Sequence, residues 1–273
     1  MRTRVVVSAV LCLALAVMAA PAQAQYAPSG SSDRATGERY HFEIGGYLWN
    51  PTPNILITSE SLGIIGSEID FVEDLGIEKS TFKQLKVVLR PGKKHKFRFE
   101  YTPIRYSTVS TLRRPIIFNG QRYDIALPVQ TELKWNAYRF GYEWDFIYRD
   151  RGFAGLLLEL KYTDVEATLG NSLIGAEFVS ARAPIPAIGG IGRVYVAPNI
   201  SITGELTAFK LPESLDENYR ARFIDFDLYG SVNFTDNFGA QAGYRSFDVF
   251  YHVDEDEGDL VIRGLYLGGV VRF

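Results

Sequence analysis

Residues 136–148 read NAYRFGYEWDFIY and alternate strictly. Tyr138, Phe140, Tyr142, Trp144 and Phe146 share one parity, and Arg139, Gly141, Glu143 and Asp145 take the other. A period of two places these sets on opposite faces of a β-strand. KFRFEYT (96–102), FAGLLLELKY (153–162) and FIDFDLYGSVNF (223–234) repeat the pattern. Such a chain folds into half-apolar strands, and alternation alone leaves open which face is inside. A soluble sandwich turns the apolar face in; a membrane barrel turns it out to lipid.

Three features favour the barrel. Short links at 91–95, 149–152, 198–199 and 235–237 alternate with long ones near 51–79, 114–127, 169–187, 211–221 and 252–259, the pattern of a barrel with turns at one end and loops at the other. Aromatic residues crowd the short-turn end, with Trp144, Phe146, Tyr148 and Phe153 around one turn and Phe234 and Phe238 around another. Rings with one wet edge prefer a membrane interface. The third feature is the start of the chain. Arg2 and Arg4 precede an uncharged apolar run, and Ala22-Gln23-Ala24 is a small-x-small cleavage site, so residues 1–24 read as a cleaved signal peptide.

The one cysteine, Cys12, lies in that apolar run, so the mature chain has no thiol chemistry and no disulfide. Arg2 and Arg4 leave with the signal, so 27 basic residues face 32 acidic ones, a formal charge of −5. That balance argues against a nucleic-acid partner. Residues 25–38 are polar and small and read as a disordered periplasmic leader. Residues 39–273 then form one all-β domain, a transmembrane antiparallel up-and-down barrel. Ten strands are expected, near 39–50, 80–90, 96–113, 127–148, 153–168, 188–197, 200–210, 222–234, 238–251 and 260–273, with eight as the alternative. An even number puts both termini in the periplasm.

Two loops carry local signals. Asn119-Gly120 marks a type I′ hairpin. SEIDFVEDLG (67–76) reads as one or two helical turns, with Ser67 and Asp70 at capping-box spacing, Ile69, Val72 and Leu75 on one face, and Gly76 as the stop.

GGYLWNPTP (45–53), DFVEDLGIE (70–78) and GYRSFDVFY (243–251) followed by a strand ending VVRF resemble a broad, largely uncharacterised group of Gram-negative outer-membrane β-barrel proteins. The resemblance implies the fold and an outer-membrane location, and it supplies no catalytic residue. It also implies that Tyr266, Gly268, Val271 and Phe273 form the signal read by the barrel-assembly machinery, with Tyr266 where a polar residue is usual. Outer-membrane lipids and lipopolysaccharide are the other expected partners; Arg263, near the outer rim, either meets lipopolysaccharide phosphate or is a strand-end residue reaching water. The barrel is expected to be a monomer.

Candidate chemistry is sparse. His41 and His95 belong to the short-turn end and His252 to the loop end, so no pair of histidines that includes His252 converges. The acidic run 253–259 suits a divalent cation or is a solvated loop. No cofactor is expected. The inward parity carries Lys86, Arg98, Glu100, Arg139, Glu143, Glu159, Lys161, Arg193, Glu205, Asp225, Asp227, Arg245 and Arg272. These charges either pair and occlude a narrow lumen or line a small pore. Three functions follow, in order: a structural or interaction protein, a small-solute or ion channel, and an outer-membrane lipid- or peptide-hydrolysing enzyme.

Overall fold

A computed structural model describes residues 34–58, 66–171, 175–211, 219–253 and 256–273. The expected signal peptide, residues 25–33 of the leader, and Asp254 and Glu255 of the acidic run lie outside the described residues. Thirteen strands follow in order: β1 (Phe42–Thr58), β2 (Ile69–Asp70), β3 (Phe82–Gly92), β4 (His95–Thr111), β5 (Ile116–Phe118), β6 (Gln121–Tyr123), β7 (Pro128–Arg149), β8 (Gly152–Asn171), β9 (Gly175–Ala197), β10 (Ile200–Lys210), β11 (Tyr219–Asn233), β12 (Phe238–Val253) and β13 (Asp256–Arg272). Ten of them pair antiparallel with their neighbours, and β13 returns to β1 along its whole length, from Glu43↔Arg272 to Thr58↔Glu257. The wall is therefore a closed ten-stranded barrel with no free edge at that seam.

Two expected long links are mostly strand. β9 begins at Gly175, where a link to 187 was expected, and β12 and β13 continue pairing to Val253↔Asp256. Pro184 and Pro186 argue against a central strand in sequence. They are tolerated because β9 pairs with β10 only from Ile188 onward, leaving an edge where a missing N–H breaks no ladder. Pro51 and Pro53 lie beyond the last β1–β3 pair, Trp49↔Phe82, and Pro103 lies beyond the last β3–β4 pair, Leu85↔Tyr101. Past these points the wall parts into two sheets, β4–β7–β8–β9 and β11–β12–β13–β1, the latter edged by the top of β10.

Polarity changes at the same level. On the lower part of β7, Phe140 and Trp144 face out while Arg139, Glu143 and Asp145 are buried inside. On its upper part Lys134 and Glu132 lie on the outer face, and Trp135, Leu133 and Val129 are buried inside. β4 and β8 repeat the switch, from Arg98 and Glu100 to Ile104 and Tyr106, and from Glu159 and Lys161 to Ala167 and Leu169. A ladder of Tyr101, Tyr138 and Tyr162 marks the boundary, with ring centroids 4.8 and 6.3 Å apart. From Tyr138 to Phe146 the outward apolar stretch runs ~27 Å along the strand, or ~20 Å along the axis of a tilted barrel.

Candidate functional site

Parity brings all thirteen inward charges named from sequence into the lower lumen, where each is buried. Arg98 on β4 grips Glu205 on β10 through Nη2, 2.6 Å from both Oε1 and Oε2, and reaches Glu143 at 3.1 Å. Arg139 on β7 touches Glu159 (2.7 Å), Glu100 (3.2 Å) and Asp225 (3.5 Å). Arg245 on β12 bonds both Asp225 oxygens and also Glu100. Lys161 lies 2.5 Å from Asp225 and 3.1 Å from Glu159, and Lys86 lies 3.4 Å from Glu205. Asp227 accepts the Tyr266 hydroxyl at 2.9 Å. Glu205, Asp225 and Glu100 are each shared by strands on different sides of the bore, so the layer ties the wall together across its width.

The same parity carried further members that were not singled out. Lys96 bridges Glu143 (2.5 Å) and Asp145 (2.9 Å), and Arg272 bonds Glu43 (2.5 Å) and Asn233 (2.8 Å). With Arg90 and with Glu38, which comes from the N-terminal segment, nine cations (Lys86, Arg90, Lys96, Arg98, Arg139, Lys161, Arg193, Arg245, Arg272) face nine carboxylates (Glu38, Glu43, Glu100, Glu143, Asp145, Glu159, Glu205, Asp225, Asp227) among the described residues. The layer is formally neutral, as buried charge must be when it is not hydrated. Voids within it measure about 10–20 Å³, room for roughly one water each.

Residues 34–38, read from sequence as part of a disordered leader, close the short-turn end. Ala35 and Thr36 donate to the carbonyls of Asp150 and Pro198, and Gly37 donates to Asp236 Oδ1. Glu38 accepts from Arg193 (2.9 Å), Tyr195 (2.9 Å) and Arg90 (3.3 Å). Burial alone pushes the Glu38 carboxyl up, but Arg193, Lys96 and Arg90 overcome it and hold it at about 2. Composition suggested disorder here because the partners that order the segment lie more than 50 residues away in sequence.

Above the charged layer the interior is apolar, which the sequence reading did not anticipate. Phe223 and Phe247 form the seam, with Lys161 Nζ 4.8 Å from one ring centroid and the Arg245 guanidinium 4.3 Å from the other. Trp49, Trp135, Ile104, Leu133 and Ile262 fill the space beyond. Segment 66–81 enters the gap between the upper parts of β1 and β4 and buries Ile69, Phe71, Leu75 and Ile77. Its turn is capped by Asp70, whose Oδ1 accepts from Val72 and Glu73, while Asp74 reciprocates to the Asp70 amide. Ser67, the expected cap, instead accepts from Ile117 of the β5–β6 hairpin. Val72, expected on the buried face, is exposed. Asn119 (φ 49°) and Gly120 (φ 77°) form the expected hairpin turn.

Arg114 locks hairpin and turn together. Its Nε and Nη2 bond Asp74 at 2.8 and 2.5 Å, and Nη2 also reaches the Glu68 carbonyl at 2.6 Å. Burial pushes Asp74 up, and the bonds from Arg114 and the Asp70 amide outweigh it, holding the carboxyl below its ordinary value.

The histidines lie apart. His41 Nδ1 contacts the Arg90 carbonyl (3.1 Å), His95 the Tyr142 hydroxyl (2.7 Å), and His252 Glu257 Oε2 (3.1 Å). Ser246 sits six residues down β12 from His252, ~20 Å along the strand, so the two do not meet. Among the described residues no cluster of three or more His, Asp or Glu could hold a metal ion. Of the stretch 266–273, Tyr266 and Arg272 point inward and Phe273 outward. Gly268 has a local reason of its own, since a Cβ there would collide with the Tyr47 ring.

No family model matches the sequence, and no curated protein matches it significantly. Solved structures do. The outer membrane protease OmpT from Escherichia coli superposes with a TM-score of 0.57 at 9% identity, over 90% of this chain and 100% of that one. Neisserial surface protein A gives 0.40 at 15% identity, covering 85% and 97%. Ail, the attachment invasion locus protein of Yersinia pestis, gives 0.38 at 9%, covering 85% and 99%. The chain folds as an outer-membrane-type β-barrel. At these identities the likeness is one of fold, and no residue role transfers with it.

Proposed function

We propose that this protein is a sealed barrel of a Gram-negative outer membrane, with its short turns toward the periplasm and its tall end outside, and that its role is structural or adhesive contact rather than transport. The observation that carries this reading is the wall-to-wall ion-pair layer, whose remaining voids measure only about 10–20 Å³. A second layer, apolar and capped, stands above it. The tight join of segment 66–81 to the β5–β6 hairpin gives the outer end a fixed surface, which favours loops 51–79 and 114–127 as the contact region. On this reading Tyr266, Gly268, Val271 and Phe273 serve assembly, and lipopolysaccharide and phospholipid surround the barrel.

The test is conductance. Purified protein in a planar bilayer is expected to show no unitary openings, and Arg98→Ala and Glu159→Ala are expected to stay silent while losing stability. Discrete openings whose ion selectivity shifts in those variants would replace this reading with a channel.

A further inference from the structure

The short-turn rim is electrically lopsided. The β3–β4 turn carries Lys93 and Lys94, and the neighbouring β7–β8 turn carries Arg149 and Arg151 around the single acid Asp150. The two hairpins adjoin, since the Asp145 amide bonds the Lys94 carbonyl. Arg34 and Arg39 of the N-terminal segment line a cavity of about 490 Å³ that opens beside these turns, within the size range of small-ligand sites. Across the barrel, the turns at 198–199 and 234–237 carry no cation and one acid, Asp236.

The side chains of Lys93, Lys94, Arg149, Arg34 and Arg39 are exposed and make no hydrogen bond or ion pair among the described residues. Arg90, on the cavity floor, is by contrast saturated. It bonds Glu38 and the Lys93 carbonyl, and its guanidinium lies 5.2 Å from the ring centroids of Tyr40 and Tyr148. Unpaired cations thus surround an ordered floor. Directly above them the outward face carries Phe97, Trp144 and Phe146, all exposed, the ring types that settle at a headgroup boundary.

We propose that this arc is a binding site for the phosphate of an anionic phospholipid in the inner leaflet. Lys93, Lys94 and Arg149 meet the phosphate, Arg34 and Arg39 extend the positive field over the cavity mouth, and Phe97, Trp144 and Phe146 contact the glycerol and upper acyl region. The inference rests on the membrane-barrel reading above and adds to it a lipid preference and a preferred side of the barrel. A cation near an anionic surface contributes enough for about a five-fold change in affinity, reduced by salt.

The full chain is placed in bilayers of phosphatidylethanolamine mixed with phosphatidylglycerol, folding is checked by heat-dependent gel mobility, and retained lipids are weighed by native mass spectrometry. Phosphatidylglycerol is expected to be enriched over its bulk fraction. K93Q/K94Q/R149Q is expected to fold normally and lose that enrichment by at least about ten-fold, whereas K83Q/R105Q, removing exposed cations elsewhere on the wall, keeps it. A folded wild type without enrichment overturns the proposal, as does a triple variant that retains it or a control variant that loses it equally. Displacement of the lipid by inorganic phosphate at constant ionic strength would make the site one for a free anion and overturn the lipid assignment. A chain that does not fold in bilayers overturns the barrel reading and this inference with it.

Discussion

Arg98 and Glu205 meet across the bore, with one guanidinium nitrogen 2.6 Å from each carboxylate oxygen. They come from β4 and β10, four strands apart by the shorter way round the wall. Lys86 and the Tyr229 hydroxyl converge on the same carboxylate. Glu205→Ala leaves two buried cations short of a partner and is expected to cost about 3–5 kcal/mol, whereas Arg98→Met combined with Glu205→Leu restores much of it. Urea unfolding from vesicles measures both. If the double variant is as unstable as the single one, the pair's value lies in its shape rather than in charge balance.

The polarity switch on β7 makes a second prediction. Phe140 lies in the middle of the outward apolar stretch and Lys134 lies above it. Phe140→Lys is expected to cost ~2–4 kcal/mol in lipid, and Lys134→Leu to stay within ~0.5 kcal/mol. Equal effects at the two positions, read by folding titrations into vesicles, would place the bilayer at the wrong height.

Asp74 makes the outer cap sensitive to acid. Its folded pKa is depressed, so its contribution is complete above the unfolded carboxylate value and is lost as pH falls through the lower, folded one. Arg114 is partly exposed, which limits the effect to about 1 kcal/mol or less. Protection factors at Val72 and Ile77, taken relative to the intrinsic exchange rate at each pH, should fall in acid, and Asp74→Asn should show the lower protection already at neutral pH with little further dependence. Unchanged protection in that variant would mean that Arg114 does not hold the turn.

Glu38 anchors the N-terminal segment at the other end. Glu38→Gln keeps the shape but removes the charge facing Arg193 and Arg90. Cleavage by a protease within 34–41 is expected to accelerate several-fold, with the heat-dependent mobility of the barrel unchanged. Resistance equal to that of the wild type would assign the anchoring to the backbone bonds of Ala35, Thr36 and Gly37.

The alternation around Arg139 and Phe140 made the strands and the charged interior legible, because side-chain parity follows directly from strand geometry. It also reached Lys96, Glu43 and Asp145, once each strand is followed to its end. Less legible were the elements that depend on a neighbour's length. Pro184 and Pro186 read as breakers until the end of the β9–β10 pairing is known, and Ser67 reads as a cap until the hairpin at Ile117 takes its hydroxyl. Leu133 and Trp135 carried a local sign that the interior turns apolar, since they lie on the same parity as Arg139 and Glu143. That sign appears only when the alternation is tracked upward past Tyr138.

The exchange of inside and outside at Tyr138 means that two solvents hold one chain together. Below that level the wall is kept by lipid and by charge pairs; above it, burial of Trp135, Leu133 and Ile104 away from water does the work, as in a soluble sandwich. Detergent choice should therefore govern the melting of the lower half, and temperature and urea that of the upper. Because every long strand is continuous through both halves, neither can slide along the axis without carrying Lys134 into oil or Phe140 into water. The depth at which the protein floats is written into the order of its side chains.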